Sequence, residues 1–492
     1  MSLINVKNLT FGYEGSYDNV FENVSFQIDT DWKLGLTGRN GRGKTTFLNL
    51  LMGKYPYSGT ISSSVDFEYF PYEVNDKSQY ALDIMKIICP AAEDWEFIRE
   101  TSLLDVDAEA LDRPFETLSN GERTKILLAA LFLGGSRFLL IDEPTNHLDT
   151  SAREAVGKYL QRKKGFILVS HDRSLLDLCV DHILSINKEN IEICQGNFSS
   201  WQYNKQLQDN FELSENDKLK KEINRLSQSA KRSAEWSAKV EKTKNGTRNS
   251  GLRPDKGYIG HKSAKMMQRA KSQENRMLAA AEEKSKLLHN VEQSDSLKLI
   301  TAEYHKSTLV SAADLSLFYG DTEVCSDIGF KIEKGCRLAV EGKNGCGKST
   351  LLKLLCGENI RYTGVLEIGS NLKISYVSQD TSFLKGSLNE YAESFGTDES
   401  LLKSMLRKLG FERSQFEKDT AGFSEGQKKK VLIARSLCEQ ANLYIWDEPL
   451  NFIDVISRMQ IEELVLKYQP TMIFVEHDIA FRNNIATDFL SM

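Results

Sequence analysis

The chain has 492 residues, 40% of them hydrophobic, a formal net charge of −6 and eight cysteines. At ~150 residues per domain this allows two to four domains with sizeable cores, and no run approaches the roughly 18 apolar residues needed to cross a bilayer. The scattered cysteines, with no C-x-x-C pair, indicate neither a zinc site nor a disulfide framework, and the start "MSLINVKNLTFGYEG" lacks a secretory layout, so the expectation is a cytoplasmic protein.

In chain order, "LTFGYEG" (9–15) comes first, then "WKLGLTG" (32–38), a short apolar run ending in glycine. "GRNGRGKTT" (38–46) opens the helix-like "KTTFLNLLMG", so the pattern is strand, glycine loop, helix. "YFPYE" ends at 73, "LSNGE" covers 118–122, and "FLLIDEPTNHLD" (138–149) and "FILVSHD" (166–172) read as buried strands followed by polar residues.

From about Trp201 to Ile300 the sheet-like pattern disappears. Residues 216–244 and 262–292 contain strong helix formers and no glycine. Two antiparallel helices joined at a tip are expected, each spanning roughly 45 Å. Over 218–286 there are 19 Lys+Arg against 7 Asp+Glu, a local +12, which leaves −18 on the rest of the chain. Such an excess fits either a solvated coiled coil or a nucleic-acid backbone. The tip, near 245–260, reads "NGTRNSGLRPDKGYIGHK" over 245–262. There Lys244, Arg248, Arg253, Lys256 and Lys262 suit phosphates, and Leu252 and Tyr258 suit unpaired bases. A flexible connector is the alternative.

Beyond the linker the first blocks return in order: "LSLFYGD" (315–321), "GKNGCGKST" (342–350), "FSEGQ" (423–427), "LYIWDEPLNFID" (443–454) and "MIFVEHD" (472–478). The offsets are all 304–306 residues, which marks two copies of one domain. The expected organisation is an α/β domain over 1–205, a basic helical hairpin over 206–300 and a second α/β domain over 301–492.

G-x-x-x-x-G-K-[ST] occurs in both copies, as Gly38–Thr45 and Gly342–Ser349. In it Gly38, Asn40, Gly41 and Gly43, and likewise Gly342, Asn344, Gly345 and Gly347, let backbone N–H groups close on phosphate oxygens. Lys44 and Lys348 reach the β- and γ-phosphates, Thr45 and Ser349 suit Mg²⁺, and Thr46 and Thr350 continue each loop into its helix. Asp142 and Asp447 end apolar strands where a carboxylate holds Mg²⁺ through water. Glu143 and Glu448 follow as candidate general bases, and His171 and His477 as γ-phosphate sensors. Tyr13 and Tyr319 are candidates to stack on adenine, with core packing as the alternative.

Together these blocks resemble ATP-binding cassette ATPases over both halves of the chain. The resemblance implies two cassettes meeting head to tail with ATP and Mg²⁺ at each junction. "LSNGE" and "FSEGQ" are similar to that family's signature loop, usually L-S-G-G-Q. One site would then join Lys44, Asp142, Glu143 and His171 to Ser424 and Gly426. The other would join Lys348, Asp447, Glu448 and His477 to Ser119 and Gly121. Gln379, in "YVSQD", matches the family's glutamine loop and would add a Mg²⁺ contact, whereas the first copy carries Tyr72 there. Asn120, Glu122, Phe423 and Glu425 also depart from the usual signature, so the sites are expected to be unequal.

"EPTNHLD", two fused cassettes and a helical linker resemble more narrowly the ABC-F proteins. "WKLGLTGRNGRGKTT" and "GYIGHKSAKMM" are similar to their Lsa-type resistance subgroup. That resemblance implies an ATPase that binds the bacterial 70S ribosome from its E site, near 23S rRNA and the P-site tRNA. It would counter lincosamide, pleuromutilin and streptogramin A drugs. A housekeeping translation factor, an exporter ATPase and a DNA-maintenance ATPase are the other readings. The similar intervals Tyr72–Leu118 and Gln379–Phe423 leave no room for a large extra arm, and no extension is expected beyond Met492. One chain supplies both halves of each site, so a monomer suffices.

Overall fold

The computed structural model describes residues 2–14, 19–135, 137–146, 148–187, 191–243, 264, 265, 268, 271, 272, 275–277, 279, 280, 297–299, 301–320 and 322–492. The chain divides into two compact units, Met1–Trp201 with Ser294–Met492, and Gln202–Gln293.

The first unit contains both repeats. In the first repeat the strands are β1 (Leu3–Phe11), β2 (Phe21–Asp29), β3 (Lys33–Thr37), β4 (Ser58–Ser62), β5 (Phe67–Phe70), β6 (Phe138–Asp142), β7 (Phe166–Val169), β8 (His182–Ile186) and β9 (Ile191–Gln195). Six of them form a sheet in the order β5-β6-β7-β3-β8-β9, parallel except for β8 with β9. The order β2-β1-β4 forms a smaller antiparallel sheet.

The second repeat has β10 (Thr308–Tyr319), β11 (Thr322–Glu333), β12 (Arg337–Glu341), β13 (Arg361–Ile368), β14 (Ile374–Val377), β15 (Leu443–Asp447), β16 (Met472–Val475) and β17 (Asp488–Ser491). Its parallel sheet runs β14-β15-β16-β12-β17, and β11-β10-β13 is antiparallel. The α/β architecture is thus present twice.

The central strands are apolar because both of their faces are covered. β7 and β16 are buried at every residue, as is β15. A parallel strand packed on both sides selects continuous hydrophobic runs rather than alternation. In the first repeat Leu34, Phe47, Leu140 and Ile167 belong to one core, and Phe97, Ile126, Tyr159 and Phe166 to another beneath the helices. Val455, from the second repeat, is buried in that helical core of the first. Because β3 lies between β7 and β8, with β6 beyond β7, the loops leaving β3, β6 and β7 emerge at one carboxyl edge. That edge is where open α/β sheets bind ligands.

Helix Phe198–Thr243 is one 46-residue element. It is longer than the segment 216–244 that helix formers alone mark out, spanning about 69 Å at 1.5 Å per residue. The reason lies at its start. Asn197 Oδ1 accepts from Ser200 N at 3.0 Å, an N-cap arrangement. Phe198 and Trp201 are buried in the first repeat's core, and no glycine or proline follows before Thr243 to break the helix. In the second unit the described residues between 264 and 280 are also helical. The tip residues Lys244, Arg248, Leu252, Arg253, Lys256, Tyr258 and Lys262 lie outside the described residues. Among the described residues no helix is long and apolar enough to cross a membrane.

Candidate functional site

Each glycine loop leaves a strand and enters a helix, Lys44–Leu51 or Lys348–Leu355. The last glycine before each helix needs two things of its residue. Gly43 has φ +86 and Gly347 φ +98, and a Cβ would lie 2.5 Å from Val20 Cγ1 or 2.8 Å from Val324 Cγ1. Only glycine satisfies both at little cost. Lys44 Nζ donates to Gly38 O at 2.8 Å, and Lys348 Nζ to Gly342 O at 2.7 Å and Lys343 O at 2.8 Å. Both lysines are buried. Burial lowers the Lys44 ammonium's pKa, with Asp454, Glu143 and Asp142 pulling the other way.

Thr45 Oγ1 donates to Asp142 Oδ2 at 2.8 Å, and Ser349 hydrogen-bonds Asp447. Asp447 Oδ1 is buried with no hydrogen-bond partner among the described residues. A hydroxyl and a carboxylate at a strand end, with a spare buried oxygen, fit a hard cation that takes its other ligands from phosphate and water, as Mg²⁺ does. Burial pushes Asp447 up to about 6, opposed by the Ser349 hydrogen bond and reinforced by Glu448.

Glu143 and Glu448 both have positive φ, 50° and 46°, a backbone strain that clusters at functional positions. His171 Nε2 lies 3.2 Å from Glu143 Oε1, and His477 Nε2 3.3 Å from Glu448 Oε1. Both histidines sit two residues beyond their strands. The two acids differ in electrostatics. Burial, then Asp142, pushes Glu143 up to about 8. Burial also raises Glu448, but the His477 hydrogen bond and charge, with Lys429 and Lys348, outweigh it and hold that carboxyl below its usual range. Burial, then Lys44 and Arg458, holds His171 well below the ordinary imidazole value.

Gln379 Nε2 donates to Glu448 Oε2 at 2.9 Å. In the first repeat Tyr72 packs against the helical core instead, and Tyr69 OH donates to Asp142 Oδ2 at 3.0 Å. Tyr69 escaped the sequence reading, as did Lys429. The latter is buried and donates from Nζ to Ser378 O at 2.9 Å and Glu448 O at 3.1 Å. Comparing repeats would have flagged Lys429, because the matching residue is Thr124.

The signature segments begin helices Asn120–Leu133 and Glu425–Cys438. Ser119 Oγ accepts from Glu122 N at 3.2 Å while Ser119 N donates to Glu122 Oε2 at 2.8 Å. Ser424 and Gln427 make the same reciprocal pair. The motif is a capping box, so Glu122 keeps the role that glutamine has in the other copy. Leu118 and Phe423 are both buried, which makes that departure a packing choice.

The two repeats meet at both sets of residues. A cavity of about 720 Å³ is lined by Ser119 and Gly121 of the first repeat and by Asn344, Gly345, Gly347, Lys348, Ser349, Thr350, Gln379, Glu448 and His477 of the second. Its volume suits a small-molecule ligand. On the other side Asn40 Nδ2 donates to Phe452 O at 2.8 Å. A Cβ on Gly426 would stand 2.7 Å from that same Asn40 Nδ2 and 2.3 Å from Phe452 O. Asp454, beside them, is buried and accepts from Lys430 Nζ at 2.6 Å. Tyr13 OH is 2.7 Å from Thr46 Oγ1, and its ring meets Phe11 edge-on, whereas Tyr319 is 80% exposed and open to a stacking partner. Gly41 lies in the first loop with φ +83, and Ser424 caps its helix two residues before Gly426.

A glycine loop with its buried lysine, a strand-end carboxylate and its hydroxyl partner, repeated within one chain, define a tandem P-loop nucleotide-binding protein. The profile of the ABC transporter family matches residues 21–146 and 325–451, just over half of the chain. The chain belongs to that family, as an ATPase with two tandem ATP-binding domains.

It is similar to the ribosome protection protein VmlR of Bacillus subtilis, 27% identical over 95% of this chain and 83% of that one. It is also similar to the erythromycin resistance ATP-binding protein MsrA of Staphylococcus epidermidis, at 26% identity over 92% and 90% of the two chains. Among solved structures, the archaeal ribosome recycling factor aABCE1 shares the fold, with a TM-score of 0.63 at 19% identity over 98% of this chain and 87% of that one.

Proposed function

We propose that this chain is an ABC-F ATPase of the Lsa-like resistance type. In this reading it binds the bacterial ribosome from the E site in its ATP-bound form and protects it from lincosamide, pleuromutilin and streptogramin A drugs. The observation that carries it is the pairing of two composite nucleotide sites with an inter-repeat segment that carries +12 over 218–286 and continues the helix Phe198–Thr243. The resemblance of the whole chain to proteins named for ribosome protection and erythromycin resistance supports it.

Each site is assigned the same division of labour. Lys44 and Lys348 hold the β- and γ-phosphates, and Ser424 with Gly426, or Ser119 with Gly121, face the γ-phosphate from the opposite repeat. Thr45 and Asp142, or Ser349, Asp447 and Gln379, hold Mg²⁺, which when bound neutralises charge on the phosphates. Glu448 takes the proton of the attacking water, as Glu143 does once it has lost the proton that burial favours, and His171 and His477 orient toward the γ-phosphate. ATP favours the closed pair because it contacts both repeats, and hydrolysis removes those contacts. In the ribosome reading the linker tip approaches 23S rRNA and the P-site tRNA, its lysines and arginines replacing counterions on RNA phosphates.

The test is the Glu143→Gln/Glu448→Gln double variant, spun through a sucrose cushion with bacterial 70S ribosomes, with and without ATP. Pelleting with ribosomes only when ATP is present is the expected result. A protein that stays in the supernatant in both cases sinks the ribosome reading and leaves the ATPase assignment intact.

A further inference from the structure

Arg173 begins helix Arg173–Cys179, two residues after His171. Its guanidinium is buried and crosses to the second repeat. Nη2 donates to Glu462 Oε2 at 2.5 Å and lies 3.9 Å from Asp478 Oδ1. Glu462 sits on helix Val455–Tyr468, and its other oxygen accepts from Asn484 Nδ2 at 2.6 Å. Asp478 directly follows His477 and also accepts from Arg458 Nη1 at 3.1 Å. Arg458 acts electrostatically on Glu143 and His171 of the first repeat. One buried network therefore touches the polar segment after β7 and its counterpart after β16.

The network has no mirror image. The Arg458–Asp478 pair is duplicated by Arg153–Asp172, at 3.3 Å. Arg173, Glu462 and Asn484 are not duplicated: at the repeat's offset their counterparts are Ile479, Gly157 and Leu178. A Cβ on Gly157 would lie 2.8 Å from Leu178 Cδ2, so within the first repeat an apolar contact stands where Glu462 and Asn484 bond in the second. Stability alone does not account for the charged version. Well-packed apolar groups replace buried ion pairs at little or no loss, and the counterpart positions Ile479, Gly157 and Leu178 carry no charge.

We propose that Arg173 is a positioning residue that makes closure of the first ATP site and placement of His477 in the second a single event, so that the two sites turn over in concert. This rests on the reading of two composite sites given above. Arg173 reaches neither nucleotide itself. It acts through Asp478, whose backbone continues directly from His477, and through Glu462 on the helix that carries Arg458. Breaking the closed arrangement on this side exposes two carboxylates and a guanidinium together, whereas the counterpart positions Ile479, Gly157 and Leu178 have no charge to expose.

The experiment compares the full chain with an unlocked one, Arg173→Ile/Glu462→Leu, each also carrying Glu143→Gln or Glu448→Gln singly. With Arg173 in place, either single change is expected to lower total ATPase turnover by about tenfold or more, and the Hill coefficient for ATP to exceed 1. In the unlocked chain each single change should lower turnover by only about twofold, with a Hill coefficient near 1. Arg173→Lys, which keeps the charge, should retain the coupling. Should the unlocked chain fail to fold, Arg173→Gln reads the same two quantities. Equal losses in locked and unlocked chains, or only twofold losses in both, overturn the proposal. If Glu143→Gln/Glu448→Gln still hydrolyses ATP, the two-site reading fails instead.

Discussion

Gly121 and Gly426 hold the same place in their signature segments and face different neighbours. A Cβ at Gly426 meets Phe452 O at 2.3 Å and Asn40 Nδ2 at 2.7 Å, while at Gly121 the nearest atom is Leu148 Cδ2 at 3.5 Å. Backbone cannot yield as a side-chain end can, so Gly426→Ala must displace the Phe452 backbone of its own repeat and with it the Asn40 amide that bonds to Phe452 O across the junction. We expect it to raise the ATP KM by about tenfold, near 1.4 kcal/mol, and Gly121→Ala, whose Cβ meets no backbone, to raise it by less. Steady-state ATPase measurements decide, and equal effects would show that the two junctions do not differ as described. At this scale the sequence was most legible where chemistry admits few residue types, as in G-K-[ST] and D-E-P. Arg173 was not legible. An arginine after a histidine and an aspartate carries no signal until Glu462 is known to lie opposite, almost 300 residues away in sequence.

Helices of the first repeat are tied by charge as well as by packing. Glu100, buried on helix Asp94–Ser102, accepts from Tyr159 OH at 2.7 Å and Lys163 Nζ at 2.5 Å. Burial raises its pKa, but the Lys163 and Tyr159 hydrogen bonds and the Lys163 charge outweigh that and hold it below the usual range. A carboxyl lowered in the folded state stabilises the protein above its unfolded pKa, and that contribution fades as pH falls through the folded value. Glu100→Gln is therefore expected to cost about 2 kcal/mol at pH 7. The difference from wild type should shrink below about pH 4. Thermal melting across that range checks it, and a gap that stays constant would show that the charge is not what matters. Element types followed from periodicity, because buried parallel strands and amphipathic helices leave different patterns. Lengths did not follow as well. Helix Phe198–Thr243 extends upstream of its run of helix formers because Asn197 caps it and Phe198 and Trp201 anchor it, effects that propensity does not contain.

For the whole molecule, the segregation of charge is the feature that the proposed ribosome reading puts to use. Lys218, Lys220, Lys221 and Arg225 are exposed on helix Phe198–Thr243. In that reading, replacing all four by glutamine is expected to weaken ATP-dependent ribosome binding. It should flatten the dependence of log K on log salt by roughly 0.7–0.9 for each phosphate that is no longer neutralised. An unchanged slope would mean that this stretch touches no RNA. The cavity that joins Ser119 to Lys348 has a genetic corollary. If the proposed sites hold, these two positions, in different repeats, should behave as one locus for nucleotide occupancy: a lesion at either is expected to mask a lesion at the other. Lesions at Ser119 and Lys44 fall in different junctions despite sharing a repeat, and together they are expected to empty both. Epistasis in this chain should then follow the junctions between the repeats rather than the order of residues along the sequence.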